Sequence, residues 1–153
     1  MIKRKMTHTM GLKILFGPKY WLWKFDEEKL SHITPYILSR QMSKFASYLY
    51  SHIYQLKMED SPLFLWDMFG GIGTDSINLS QYFNIVTTEN DKEIFGFLEE
   101  NIKSFKLDNI NLIHDNCLRG LKRISPDIIY FDPPWGDSWR NKIKNFDFNH
   151  VYI

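Results

Sequence analysis

Four carboxylates, Asp67, Glu89, Asp115 and Asp132, each fall where a short apolar run ends. Any one of them alone would be an ordinary surface acid or helix cap. Four in succession, each closing a candidate strand, put negative charge along a single edge if those strands lie side by side. A carboxylate at such an edge can accept from an ammonium, from both hydroxyls of a ribose, or from an exocyclic amine. Two of the four stand in turns suited to close ligand approach. In Asp67-Met68-Phe69-Gly70-Gly71-Ile72-Gly73-Thr74 the glycines let the backbone turn sharply with no Cβ in the way. The N–H groups opening the next helix can meet a carboxylate or a phosphate. No Gly-Lys-Ser/Thr follows, which excludes a nucleotide-triphosphate loop. Asp67 would also oppose the pyrophosphate of a dinucleotide, so a ligand carrying an ammonium group suits the turn better. In the other turn, Asp132-Pro133-Pro134-Trp135-Gly136, two prolines cannot continue a sheet ladder. They hold a rigid turn that presents a carboxylate and a flat indole, parts for gripping a planar base that bears an amine.

The elements that must position these residues alternate from Leu63 onward. Strands are expected at Leu63–Asp67, Asn84–Glu89, Ile110–His114 and Asp127–Asp132. Helices are expected from Ser76–Gln81, over Lys92–Phe105, and as a short turn at Leu118–Ile124. Strands separated by helical stretches argue right-handed βαβ units and a parallel sheet, with ligands bound at the strands' carboxyl ends. The fold class is therefore α/β, with a Rossmann-like sheet.

Upstream, the chain changes character. Residues 1–57 carry ten Lys/Arg against three acids, and the remainder has a balance of −6. A basic leading segment on an acidic body fits contact with a polyanion. Residues 1–20 read as an arm with a short helix or strand at Leu12–Phe16. Lys19-Tyr20-Trp21-Leu22-Trp23-Lys24-Phe25-Asp26 mixes cations with four aromatics. Such a stretch either buries its tryptophans against the main domain or grips a nucleotide by stacking and phosphate charge. Thr34-Pro35 is a helix start, with Thr34 as N-cap and Pro35 at the first helical position. The apolar spacing after it predicts one amphipathic helix over 35–57. The expected division is an arm and helix at 1–57 and a binding core at 58–153.

With 153 residues and 44% hydrophobic content there is enough chain for one domain with a real core. One cysteine, Cys117, excludes an internal disulfide and a cysteine metal cluster, and the five histidines show no metal-ligand spacing. No run reaches membrane-spanning length and the basic start has no apolar segment behind it, so a soluble intracellular protein is expected. Aromatics at 16% fit an aromatic-lined site for bases as well as a core.

The ordered set Asp67…Gly71-Ile72-Gly73, Glu89, Asp115 and Asp132-Pro133-Pro134-Trp135 resembles the class I S-adenosyl-L-methionine-dependent methyltransferases that act on exocyclic amino groups. Among these it is most similar to the trimethylguanosine synthases, which methylate the N2 amine of a 7-methylguanosine RNA cap. Pro133-Pro134-Trp135-Gly136, the Phe25-Asp26 pair ahead of Thr34-Pro35, and the glycine turn carry that likeness, over about residues 19–140. The resemblance implies that Asp67 and the loop with Phe69, Gly70, Gly71, Gly73 and Thr74 hold the methionine moiety. Glu89, with Asn90 beside it, would take the ribose, and Asp115 and Asn116 the adenine. Asp132, Pro133, Pro134 and Trp135 would be catalytic. Trp135 would stack on the cationic 7-methylguanine, with Trp21, Trp23 and Lys24 closing the other side. No metal is implied.

The family commonly has serine where Asp132 stands. Aspartate there is similar to the enzymes that methylate base amines in DNA, tRNA and rRNA, so that substrate class is the alternative. A non-catalytic nucleic-acid-binding subunit is a third. The family's sheet has seven strands in order 3-2-1-4-5-7-6. Only four are read here, in order 3-2-1-4, so a truncated or minimal sheet is expected, completed by a partner chain or a C-terminal segment. The expected partner is capped RNA, in the nucleus, the cytoplasm or a viral replication site.

Overall fold

The computed structural model describes residues 8–27, 33–54, 63–121 and 123–134. An N-terminal extension comprises helix α1 (His8–Phe16), a 3-10 turn at Gly17–Leu22, and helix α2 (Tyr36–Tyr54). Then follow β1 (Phe64–Asp67), α3 (Thr74–Leu79), β2 (Asn84–Glu89), α4 (Lys92–Phe105), β3 (Ile110–His114), α5 (Cys117–Gly120) and β4 (Ile128–Tyr130). All pairings are parallel, as the alternating pattern argues, and the order is β3-β2-β1-β4, as the resemblance implies. Register sets Leu65 beside Ile85 and Ile128, Asp67 beside Thr87 and Tyr130, and Glu89 beside His114. The acids therefore reach the carboxyl edge together because the strands in front of them are in step. Lys3, Arg4 and Lys5, the polar turn after Lys57, Trp135 and Gly136 lie outside the described residues.

One sheet face is covered by the extension, α3 and α4. Leu65, Ile85 and Ile110 pack there with Ile77, Leu98, Ile102, Phe16 and Trp23. The other face gathers Trp66, Met68 and Val86 around Cys117. Helix α4 forms where apolar residues recur on one stripe, and its ends are well defined. The Asp91 side chain accepts from the N–H groups of Glu93 and Ile94, and Lys106 closes the helix in the left-handed region at φ 56°. No helix among the described residues is long and apolar enough to cross a membrane.

Helix α2 forms as its periodicity predicts, but it turns its large apolar residues outward. Ile37, Phe45, Tyr48 and Ile53 are all exposed, and the face toward α3 is Ser39 and Ser43. The Ser39 hydroxyl donates to the Thr74 carbonyl at 3.2 Å and accepts from the Asn78 amide at 3.0 Å. Small polar side chains let the two helices approach closely enough for those bonds. Thr34, expected as the helix cap, donates its hydroxyl to Asp75 at 2.9 Å.

One buried amide ties the extension to the glycine turn. Asn101 donates to the carbonyls of Lys24 at 3.0 Å and Ile72 at 2.9 Å, and accepts from the Lys24 N–H at 2.7 Å. Asn101→Leu keeps the volume and removes all three bonds. It should lower unfolding free energy by about 1–3 kcal/mol, read from urea denaturation. An unchanged midpoint would mean that these backbone groups find other partners.

Candidate active site

The turn after β1 is built around Asp67, which is 1% exposed. Its carboxylate accepts from the Phe69 N–H at 3.2 Å and from the Ser76 hydroxyl at 2.6 Å, so it clasps the turn to the start of α3. Gly70 donates to the Thr88 carbonyl at 2.8 Å, and Gly73 donates back to the Gly70 carbonyl at 2.9 Å. Gly71 (φ 52°) and Gly73 (φ 96°) occupy the left-handed region, where a side chain is strained. A Cβ on Gly71 would meet nothing within 4 Å, so the loop opens onto space there.

Glu89 closes the turn from β2. One carboxylate oxygen accepts from the Gly71 N–H at 3.0 Å and the other from the Asp91 N–H at 2.8 Å. The Asn90 N–H also bears on this carboxylate, which keeps lone-pair capacity for an incoming hydroxyl. Asp115, just past β3, accepts from the Asn116 N–H at 2.8 Å and pairs with the Arg119 guanidinium at 3.2 Å. The Asn116 side chain caps α5 by accepting from the Leu118 N–H at 2.9 Å. The Asn90 carbonyl lies 3.2 Å from His114 Nε2.

At the end of β4 the Tyr130 carbonyl accepts from the Met68 N–H at 3.1 Å, which locks this turn to the first one. Phe131 is 50% exposed and meets Phe69 edge-on, with ring centroids 5.2 Å apart. Asp132 is half-buried, Pro133 buried and Pro134 exposed. Burial raises the pKa of Asp67 to about 7, against the Ser76 hydroxyl, and the nearby carboxylates of Asp75 and Asp132 add to the rise. Burial likewise raises Asp75 and Glu89. Burial and then Asp75, Asp132 and Asp67 hold the proton on the Tyr130 phenol. Three carboxyl groups thus bear on one phenol beside the β4 turn.

The structure brings Asp67, Phe69, Gly70, Gly71, Gly73, Thr74, Glu89, Asn90, Asp115, Asn116, Asp132, Pro133 and Pro134 to the carboxyl edge of the sheet. Trp23 is a correction. It is 6% exposed, stacked on Phe16 at 5.2 Å and tilted against Phe105 at 5.0 Å, so its ring is core and not open to a base. Trp21 and Lys24 are exposed on the extension, whose 3-10 turn packs on α1 and α4. Sequence reasoning passed over Asp75, Tyr130 and Ser39 and read Thr34 only as a helix cap; their association is long-range. The one signal was Asp75 directly after the glycine turn.

The pH consequence of Asp67 has a definite sign. Its folded-state pKa lies above the usual carboxylate range, so the folded chain keeps a proton that the unfolded chain releases. Its contribution therefore makes stability fall as pH climbs from the usual carboxylate range toward about 7, and level off above. Asp67→Asn has no proton to lose and should lack that share of the decline. Parallel urea curves for both proteins at several pH values check this; identical pH slopes would refute it.

Residues 53–148 match the family described as Conserved hypothetical protein 95. An uncharacterised protein of Acanthamoeba polyphaga mimivirus is 31% identical over 87 residues, which is 54% of this chain and 34% of that protein. This chain thus spans about a third of the length of that relative. Among solved structures, a putative methyltransferase from Porphyromonas gingivalis superposes with TM-score 0.57 at 20% identity, over 76% of this chain and 27% of that one. A precorrin-6y methyltransferase from Geobacter metallireducens gives TM-score 0.52 at 22% identity, over 70% of this chain and 52% of that one. A SAM-dependent methyltransferase from Agrobacterium tumefaciens gives 0.50 at 20% identity, over 64% and 31%. These likenesses establish the Rossmann-like class I methyltransferase fold, here with a four-stranded sheet among the described residues and an N-terminal helical extension.

Proposed function

The chain belongs to the family described as Conserved hypothetical protein 95, and on that premise we propose that it is an S-adenosyl-L-methionine-dependent methyltransferase acting on an exocyclic amine of a nucleobase. The observation that carries this reading is the clasp of Glu89 on the Gly71 N–H, in a turn that opens onto space. A glycine turn without Cβ atoms and a carboxylate with spare lone pairs fit the donor's methionine and ribose. When bound, the donor supplies a methyl group on a cationic sulfur.

The chain's own part is to hold and orient. The loop of Phe69, Gly70, Gly71, Gly73 and Thr74 would cradle the methionine, with Asp67 shaping it from beneath. Glu89, with Asn90, would accept from the ribose hydroxyls, and Asp115 and Asn116 would face the adenine. Asp132 would accept a hydrogen bond from the target amine, localising a lone pair otherwise delocalised into the ring, and take its proton as the N–C bond forms. Pro133 and Pro134 fix the backbone for that contact, and Trp135 would stack on the base.

The substrate proposed is the N2 amine of 7-methylguanosine in an RNA cap, whose positive base suits the carboxylates around Tyr130. The aspartate at 132 favours a second reading, a base amine in DNA, tRNA or rRNA. A partner chain or a continuation of this one is expected to complete the sheet, because β4 pairs only with β1 among the described residues. Labelled donor offered with a cap analogue, uncapped RNA and DNA tests the assignment. Transfer to the cap analogue alone supports the first reading, transfer to uncapped nucleic acid the second, and no transfer to any of them refutes both.

A further inference from the structure

The exposed Trp21 belongs to no part of the carboxylate edge, and its surroundings give it another use. We infer that Tyr20 and Trp21, flanked by Lys13 and Lys19, form a docking platform for single-stranded nucleic acid, separate from the methyl-transfer edge. Trp21 is 67% exposed, although Trp23, two residues on, is core and Tyr20 before it is half-buried. A lone exposed apolar residue is commonplace; this one has companions. The Tyr20 ring stands edge-on to it at 5.4 Å, Lys13 Nζ sits 5.6 Å from the Tyr20 centroid, and Lys19 Nζ is 5.9 Å from that of Phe105.

The segment that presents these groups is held at both ends. Gly17, at φ 72°, is so close to the Tyr36 ring that no Cβ would fit, and Pro18 sets the start of the turn. Beyond Trp23, the Lys24 backbone is pinned by Asn101. A platform already in place loses little entropy on binding. The exposed Trp21 indole, with the half-buried Tyr20 edge beside it and ammonium groups near, matches base faces and phosphates, and only an unpaired strand offers its base faces freely. The platform adjoins Phe105, the last residue of α4, whereas Glu89 adjoins the helix's start. The fourteen residues of α4 set its two ends about 20 Å apart. A strand held there would be gripped away from its reacting base. This inference does not depend on the methyl-transfer reading.

The test is fluorescence anisotropy of the full chain with a labelled oligouridylate of about ten nucleotides, across a salt series. Wild type should bind in a salt-dependent way. Trp21→Ala should weaken binding about tenfold or more, with its circular dichroism and melting unchanged because the indole is exposed. Lys13→Gln and Lys19→Gln should each reduce the slope of log affinity on log salt by about 0.7. Equal binding by Trp21→Ala, or equal affinity for a duplex of the same length, would overturn the inference. So would absence of oligonucleotide binding, including the case where phosphatidylserine vesicles bind and Trp21→Ala abolishes it. Calorimetry with S-adenosylhomocysteine on the same protein reports separately on the methyl-transfer reading, and its failure would leave the platform standing.

Discussion

Replacing Asp132 by alanine is expected to lower kcat for methyl transfer by about 10²- to 10⁴-fold, with affinity for S-adenosylmethionine changed less than about threefold. The split follows from where the residue stands. Asp132 follows β4 in the turn fixed by Pro133 and Pro134, whereas the donor contacts proposed above come from the turns after β1, β2 and β3. An aromatic amine is a weak nucleophile, and only a carboxylate at the target nitrogen both orients its hydrogens and can take the proton. Asp132→Asn keeps an acceptor oxygen but cannot take the proton, so it should fall between wild type and alanine. The partial charge of Asp132 also bears on Tyr130 and Asp67, so binding of the donor must be measured alongside turnover. If both variants retained wild-type kcat, Asp132 would not be the group at the amine. If donor affinity collapsed with kcat, its role would be in holding the turn.

The sheet was legible in the sequence because its signals are local and agree with one another. Asn84–Glu89, Lys92–Phe105 and Ile110–His114 appear with the bounds read from the alternation of strand and helix patterns. The parallel sheet followed from the alternation of strands and helices, and the order β3-β2-β1-β4 is the one implied by the methyltransferase resemblance. The orientation of α2 was not legible. A stripe of Ile37, Phe45 and Ile53 marks an amphipathic helix but does not say which side meets the domain, and here Ser39 and Ser43 do. Trp23 failed for a related reason: alternating lysine and tryptophan has the same pattern whether the ring stacks on a base or on Phe16. At the site, the strand-end acids could be seen one by one, but not the convergence of Asp75, Thr34 and Tyr130. That depends on how α2 lies against α3, which no local pattern encodes.

The glycine turn offers the sharpest test of how the fold supports the site. Gly70→Ala is expected to cost about 3 kcal/mol or more, although its backbone is not in the left-handed region. The cause is contact and not conformation: a Cβ there would fall on the Thr87 hydroxyl, with Leu98 at 3.3 Å behind it. Thr87 is fully buried on a central strand, paired with Asp67, and its branched side chain has little freedom to rotate away. Gly71→Ala is the control, since its φ of 52° is strained but nothing lies within 4 Å of the new atom. It should cost only about 1–2 kcal/mol. Thr87→Ala should restore most of the stability lost in Gly70→Ala, because it removes the atom that clashes, whereas Thr87→Val keeps the bulk and should not. Chemical denaturation of the single and double variants gives the coupling energy directly. A Gly70→Ala protein as stable as wild type, or no rescue by Thr87→Ala, would show that the loop can shift. The Gly71 N–H would then not be held against Glu89 by packing, and the site would lose the rigidity on which its proposed chemistry depends.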